Sequence, residues 1–232
     1  MSAATDAAPG DLAGDIGRRL AAHRSRRGFR VAELARLVGV TPSLISQIER
    51  GQSRPSVSTL FALAQALDVP VDAFFREPPG DAAGDGGAAA PSHGVQPGPA
   101  GHEAERRYVV RRGNRAAIDI EGGVRWERLT PQTLRHLDFF ELVYGPGAES
   151  NPGLYSHPGT EMVLVVSGGL EISVGFEAYR LEPGDSMQFP SSVPHRYANL
   201  GAETARAVTV ILYDCPDDAV PPPSPARHPG AL

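Results

Sequence analysis

The stretch Thr41-Pro-Ser-Leu-Ile-Ser-Gln-Ile-Glu-Arg-Gly51 constrains this chain more than any other. Thr41 can cap a helix, because its hydroxyl accepts a bond from a backbone N–H that the first turn leaves without a partner. Pro42 suits the first helical position, where its missing N–H removes nothing the helix uses. Gly51 supplies the left-handed residue on which helices end. Leu44, Ile45 and Ile48 then share one face, and Ser43, Ser46, Gln47 and Arg50 the other. An apolar back and a front of Ser, Gln and Arg suit a major groove, where Gln pairs with adenine and Arg with guanine or phosphate.

The flanks extend the pattern. Upstream, Leu34, Leu37 and Val38 fall at helical spacing, Ala35 allows close approach, and Gly39 permits a tight turn. Helix, short turn and second helix make the helix-turn-helix plan. Downstream, Arg54-Pro-Ser opens another helix, with Leu60, Leu63, Ala64 and Leu67 at core spacing. Asp11–Arg27 reads as a first helix with Leu12, Ile16 and Leu20 inward. Its Arg18, Arg19, Arg24, Arg26 and Arg27 are placed to line a phosphate backbone. A short fifth helix is expected around Val71–Phe75, with Phe74 and Phe75 closing the core.

On these residues, Leu12 to Phe75 resembles the lambda-repressor-like, Xre-type helix-turn-helix family. The matching pieces are Glu33-Leu34-Ala35, Ile45-Ser-Gln-Ile-Glu-Arg-Gly51, Pro55-Ser56, Thr59-Leu60 and Ala66-Leu-Asp-Val69. The resemblance implies double-stranded operator DNA as the partner. It places Arg30, Thr41, Ser43, Ser46, Gln47, Arg50, Ser53 and Arg54 at that DNA, and makes Glu49 structural. It also implies a homodimer on two half-sites about one helical turn apart. One departure stands out. The family often opens its second helix with Thr-Gln, and this chain has Arg30-Val31, which removes the expected cap and leaves Arg30 itself to reach a phosphate.

The charge distribution agrees. The chain carries a net −5, yet residues 11–77 hold 10 Arg against 7 Asp and Glu. The N-terminal segment is therefore cationic and the remainder strongly acidic, which puts the nucleic-acid face at the N-terminus. The single Cys215 excludes an internal disulfide and a multi-cysteine zinc site. No apolar run reaches the roughly 18 residues that span a membrane, and the first ten residues lack a signal-peptide pattern. A cytoplasmic protein with no membrane partner is expected.

Residues 1–10 read as a disordered tail, 11–77 as the DNA-binding domain, 78–104 as a linker, 105–215 as a second domain and 216–232 as a Pro-rich tail. Half of the 24 residues from Pro78 to Gly101 are Gly or Pro. A flexible coil of that length spans roughly 25–30 Å, which separates the domains without fixing their geometry. From Tyr108 the apolar period changes from helical to alternating. Strands are expected at Tyr108–Arg112, Ala116–Ile120, Val124–Leu129, Phe139–Tyr144, Glu161–Val166, Leu170–Val174, Glu177–Leu181, Ser186–Phe189, His195–Asn199 and Ala205–Tyr213. Many short strands punctuated by Gly and Pro mean a sandwich or barrel.

Two segments carry the chemistry of that domain. One runs from Gly147 through Tyr155-Ser-His157-Pro-Gly-Thr-Glu161 to Gly168. The other runs from Gly184-Asp185 through Pro190 and Pro194-His195 to Asn199. They resemble the two motifs of the cupin family over about Phe139 to Tyr213. The fold class implied is multidomain α + β: a five-helix lambda-repressor-like bundle, a linker and a jelly-roll β-barrel. Metal-binding cupins usually carry His-x-His-x-x-x-Glu in the first motif; here Tyr155 replaces the first His, while His157, Glu161 and His195 keep the other ligand positions. Those three can hold a divalent metal (Fe, Mn, Ni or Zn) as a facial triad with open positions. Alternatively, with Tyr155 and Tyr197, they line a metal-free pocket for a small-molecule effector. The function implied is a transcriptional regulator with a sensing cupin and no enzyme activity. The alternative is an iron enzyme resembling the hydroxypropylphosphonate epoxidases, which also use a lysine near substrate; this chain has none.

Overall fold

The computed structural model describes residues 12–76, 107–134 and 136–213. The two tails, the linker and Cys215 lie outside the described residues. The N-terminal domain comprises helices α1 (Leu12–Arg26), α2 (Val31–Val38), α3 (Pro42–Glu49) and α4 (Val57–Leu67). The expected fifth helix is a 3₁₀ turn, Val71–Phe75. Five residues after Pro70 are too few for an α-helical ladder, and the tighter turn stacks Val71 over Phe74 in the core.

The caps explain the boundaries. Thr41 Oγ1 accepts from the Leu44 N–H at 3.2 Å, and Ser56 Oγ from the Thr59 N–H at 3.2 Å. At α2 the missing Thr is compensated from within the helix, because the Arg30 N–H donates to Glu33 Oε2 at 2.7 Å. Gly39 and Gly51 take φ of 78° and 69°, which end α2 and α3 without strain. Glu49 is structural, as expected, since its carboxylate binds Arg24 at 2.6 and 3.0 Å. That corrects the placement of Arg24 on phosphates. Arg27 Nε likewise donates to the Leu67 carbonyl at 2.7 Å, and Arg19 Nη1 to that of Phe74 at 3.0 Å. These three arginines brace the bundle.

The C-terminal domain is two antiparallel sheets. Its strands are β1 (Ala117–Ile120), β2 (Val124–Arg128), β3 (Leu137–Tyr144), β4 (Thr160–Ser167), β5 (Leu170–Val174), β6 (Glu177–Leu181), β7 (Ser186–Pro190), β8 (His195–Ala198) and β9 (Ala205–Leu212). One sheet has the order β1-β2-β3-β9-β4-β7, the other β6-β5-β8. The expected strand at Tyr108–Arg112 is absent. Tyr108 and Val109 are exposed and pair with no strand among the described residues, and Arg112–Asn114 turns as a 3₁₀ segment. Alternation along β2, β3, β4 and β9 buries Trp126, Phe140, Leu142, Val163, Val165 and Ala207 between the sheets. Outside, Arg115, Glu127, Glu141 and Arg206 form a ladder of ion pairs.

The two domains are packed together, and their buried residues form one apolar cluster. The 3₁₀ turn and α4 close the open end of the sandwich. Phe75 stacks on Phe140 with centroids 5.0 Å apart, and Phe61 meets Trp126 edge-on at 5.9 Å. The Val57 N–H bonds to Ser150 O at 3.4 Å, and the Glu121 N–H to Pro55 O at 3.0 Å. At the centre of the joint Asp72 meets Arg128, Nε to Oδ1 at 3.4 Å. Burial lowers the Arg128 pKa and raises that of Asp72. Direct packing thus sets how the two domains sit against each other.

Removing one member of a buried pair leaves a charge without compensation, which typically costs about 3–5 kcal/mol. Arg128→Ala is expected to lower stability by about that amount in urea unfolding, and to shift Trp126 emission as the joint loosens. An unchanged midpoint and unchanged emission would show that the pair does not hold the joint.

Candidate metal centre and nucleic-acid interface

Three local features bring the polar cluster together. β4 begins at Thr160, so strand alternation turns Glu161 inward beside Val163. Tyr155 and His195 form an isolated antiparallel bridge, with N–H to O distances of 3.0 and 2.8 Å. The His157 N–H binds Ser191 O, and the Ser191 N–H binds Gly159 O, which pins the loop ahead of β4 to the end of β7. Gly159 takes φ of 109° where the chain presses on Leu212, a position closed to other residues.

The result is a buried triad. His157 Nε2 lies 3.4 Å and His195 Nε2 3.6 Å from Glu161 Oε2. One ligand atom from each residue falls within 4.8 Å of the others. The opposite ring nitrogens are engaged: His157 Nδ1 contacts Pro158 O at 3.1 Å and His195 Nδ1 contacts Val193 O at 2.9 Å. A carbonyl can only accept, so each Nδ1 carries a proton, and a ring in its neutral state turns its Nε2 lone pair toward Glu161. Glu161 Oε1 accepts from Tyr197 Oη at 2.6 Å and Thr209 Oγ1 at 3.2 Å. Burial alone would raise the Glu161 pKa; the positive charge that His157 and His195 can carry and the Tyr197 hydroxyl outweigh it and hold the carboxyl below its usual range. Burial lowers the His195 pKa against the pull of Glu161, which favours the neutral ring.

These residues fit a divalent ion. Both Nε2 atoms and Glu161 Oε2 are buried without a hydrogen-bond partner among the described residues. Such groups are rare in folded proteins and call for a water, ligand or ion. Two imidazoles and one carboxylate also suit Fe, Mn, Ni or Zn. Tyr155 is buried beside them, its ring 4.5 Å from that of His195. The structure therefore gathers all five pocket residues expected from sequence: Tyr155, His157, Glu161, His195 and Tyr197. Thr209 was missed, since a Thr within a β-branched strand reads as packing. Phe61 was also missed; its ring stacks on His157 with centroids 3.8 Å apart and planes 7° from parallel.

The second candidate site is the front of α3. Ser43, Gln47 and Arg50 are exposed and Ser46 half-buried, while Ile45 and Ile48 are buried. Thr41 is committed to its cap. Arg50 Nε donates to Gln52 Oε1 at 3.0 Å, and Arg54 lies 3.7 Å from Asp119 of the sheet domain. Arg30 and Ser53 flank this face, Arg30 exposed and Ser53 half-buried.

Two family models match the chain: a helix-turn-helix domain over residues 15–74 and a cupin domain over residues 140–211. The Escherichia coli HTH-type transcriptional regulator SutR is 27% identical over 190 residues, 82% of this chain and 90% of that protein. The E. coli HTH-type transcriptional regulator PuuR is 24% identical, covering 83% and 92% respectively. The crystal structure of an HTH_3 family transcriptional regulator from Vibrio cholerae aligns with 89% of this chain and all of its own at 22% identity, with a TM-score of 0.58, and shows the shared fold.

Groups that orient metal ligands typically contribute 10–100-fold in affinity. Tyr197→Phe is expected to weaken Zn²⁺ or Co²⁺ binding by roughly that factor in a chelator competition, and His157→Ala to abolish it. Wild-type affinity should fall as pH drops, because each imidazole must be neutral to bind. Because the His195 pKa is lowered, its share of that fall sets in below the ordinary histidine range. Affinity that is flat with pH would exclude histidine ligands.

Proposed function

We propose that this chain, which joins a helix-turn-helix domain to a cupin domain, is a sequence-specific DNA-binding transcriptional regulator whose cupin senses a small molecule. One observation carries the reading. α3 is capped and backed by core residues, yet presents Ser43, Gln47 and Arg50 to solvent with no structural task for Gln47. A side chain so placed suits bidentate pairing with a base edge in the major groove. Arg30, Ser46, Ser53 and Arg54 flank it for phosphates.

The buried triad supports the sensing role. Three buried polar atoms that lack partners among the described residues suit a ligand, directly or through a divalent ion. Such an ion would present open coordination positions to an oxygen or nitrogen donor of the effector. A second reading, an iron-dependent cupin oxidase, is favoured by the two-His-one-carboxylate set. It predicts dioxygen consumption by the Fe²⁺-loaded protein together with failure to select any DNA sequence.

Pairing of two chains completes the proposal, since one such helix reads few bases. The outer face of β4 exposes Leu164 and Val166, 44% and 50% accessible. Strand register sets Met162 beside Val210 and Leu164 beside Val208 on that face. This apolar strip beside the ion-pair ladder suits a homodimer through the sheets.

Selection from a random DNA pool is expected to return one preferred site. Gln47→Ala should lose about 1–3 kcal/mol on that site and relax its specificity. Unchanged site choice would remove α3 from recognition. Leu164→Glu is expected to convert a sedimenting dimer into a folded monomer, and a persisting dimer would move the interface elsewhere.

A further inference from the structure

Phe61 belongs to the DNA-binding domain but is buried in the mouth of the other. Its ring lies flat on His157. Tyr155 lies near-parallel at 6.1 Å, and Trp126 meets the ring edge-on at 5.9 Å. Phe61 therefore fills a slot walled by three aromatic side chains of the sheet domain. Beside the slot, a cleft of about 810 Å³ runs between the domains, and Phe61 and His157 are both on its wall. The cleft thus adjoins the triad at the point that Phe61 covers.

We propose that Phe61 is the gate of the effector site: a small molecule reaches the triad through this cleft and puts a flat apolar group in the Phe61 slot. The inference rests on the sensing role proposed above. The slot already holds a flat ring, and the aromatic faces around it recognise shape and apolar surface. The consequence is mechanical. α4 packs on α2, and α2 packs on the recognition helix α3, with Leu34, Ile45, Leu60 and Leu63 all buried in the same cluster. A ligand group in the slot displaces Phe61, and with it α4 moves against the sheet domain. The DNA-binding domain is then a wall of the effector site, and occupancy reaches α3 by way of α4 and α2.

Diethyl pyrocarbonate acylates neutral imidazole, and peptide mass spectrometry reads each histidine separately. In the full-length protein, Phe61→Ala should raise the acylation rate of His157 roughly tenfold or more, because reaction at a covered site is limited by the open population. Exposed His136 should be unaffected and serves as the reference. Phe61→Tyr keeps the ring and should retain wild-type protection. Benzyl alcohol, a flat ring of matching size, should restore protection to Phe61→Ala in a saturable way. Equal His157 rates in wild type and Phe61→Ala, or no protection by benzyl alcohol, overturn the gate. Should Phe61→Ala fail to fold, Phe61→Leu, which has no flat ring, faces the same rate criterion. Site selection by the wild type is read separately: a failed gate with an intact preferred DNA site leaves the regulator reading standing, and absence of any preferred site removes that reading whatever His157 does.

Discussion

The stacked contact between Phe61 and His157 joins the two domains. It sits where a DNA-binding helix bundle, an apolar sandwich and a buried polar triad meet. A stacked aromatic pair contributes about 0.5–1.5 kcal/mol beyond the area it buries. That is enough to bias a docking equilibrium and small enough for a ligand to overcome. Around it, Phe75 on Phe140 and the buried Asp72–Arg128 pair give the joint a fixed geometry. The two domains share a mouth, and the mouth holds the triad.

The triad gathers two imidazoles and a carboxylate, with ligand atoms that have no hydrogen-bond partner among the described residues. Backbone carbonyls hold the Nδ1 protons, and both Nε2 atoms point at Glu161. Tyr197 and Thr209 orient the carboxylate without neutralising it. An apolar sandwich pays for such a cluster only if something fills it. The same economy is absent from α3, whose polar front is solvated and whose back is core. One domain hides its polar groups and the other displays them, which is the division expected between a sensor and a reader.

Much of this was legible in the sequence. Thr41, Pro42 and Gly51 mark the ends of α3 by backbone chemistry alone, and Ile45 and Ile48 fix which face is buried. His157 and Glu161 are four apart across a loop-to-strand boundary, and only their resemblance to a known motif turned that spacing into a shared site. Partners distant in sequence were not legible. Arg24 reads as a phosphate contact until Glu49, 25 residues on, is seen to hold it. Phe61 reads as core because it stands in an apolar helix, and nothing local says that it is another domain's core. Tyr108 and Val109 alternate like a strand, but a strand also needs a neighbour. The docking of the two domains was hidden for the same reason: it is encoded in scattered residues on both sides of a segment rich in Gly and Pro.

The central claim is that the triad and the recognition helix are energetically linked through the joint. Linkage is reciprocal for binding free energies, so one measurement reaches it from both ends. With a DNA site chosen from a random pool, DNA affinity is measured with and without saturating Zn²⁺, and Zn²⁺ affinity with and without saturating DNA. The account predicts equal factors in the two directions, in the range of roughly 5–150-fold typical of coupled sites. Tight binding of both ligands with neither affecting the other would contradict it.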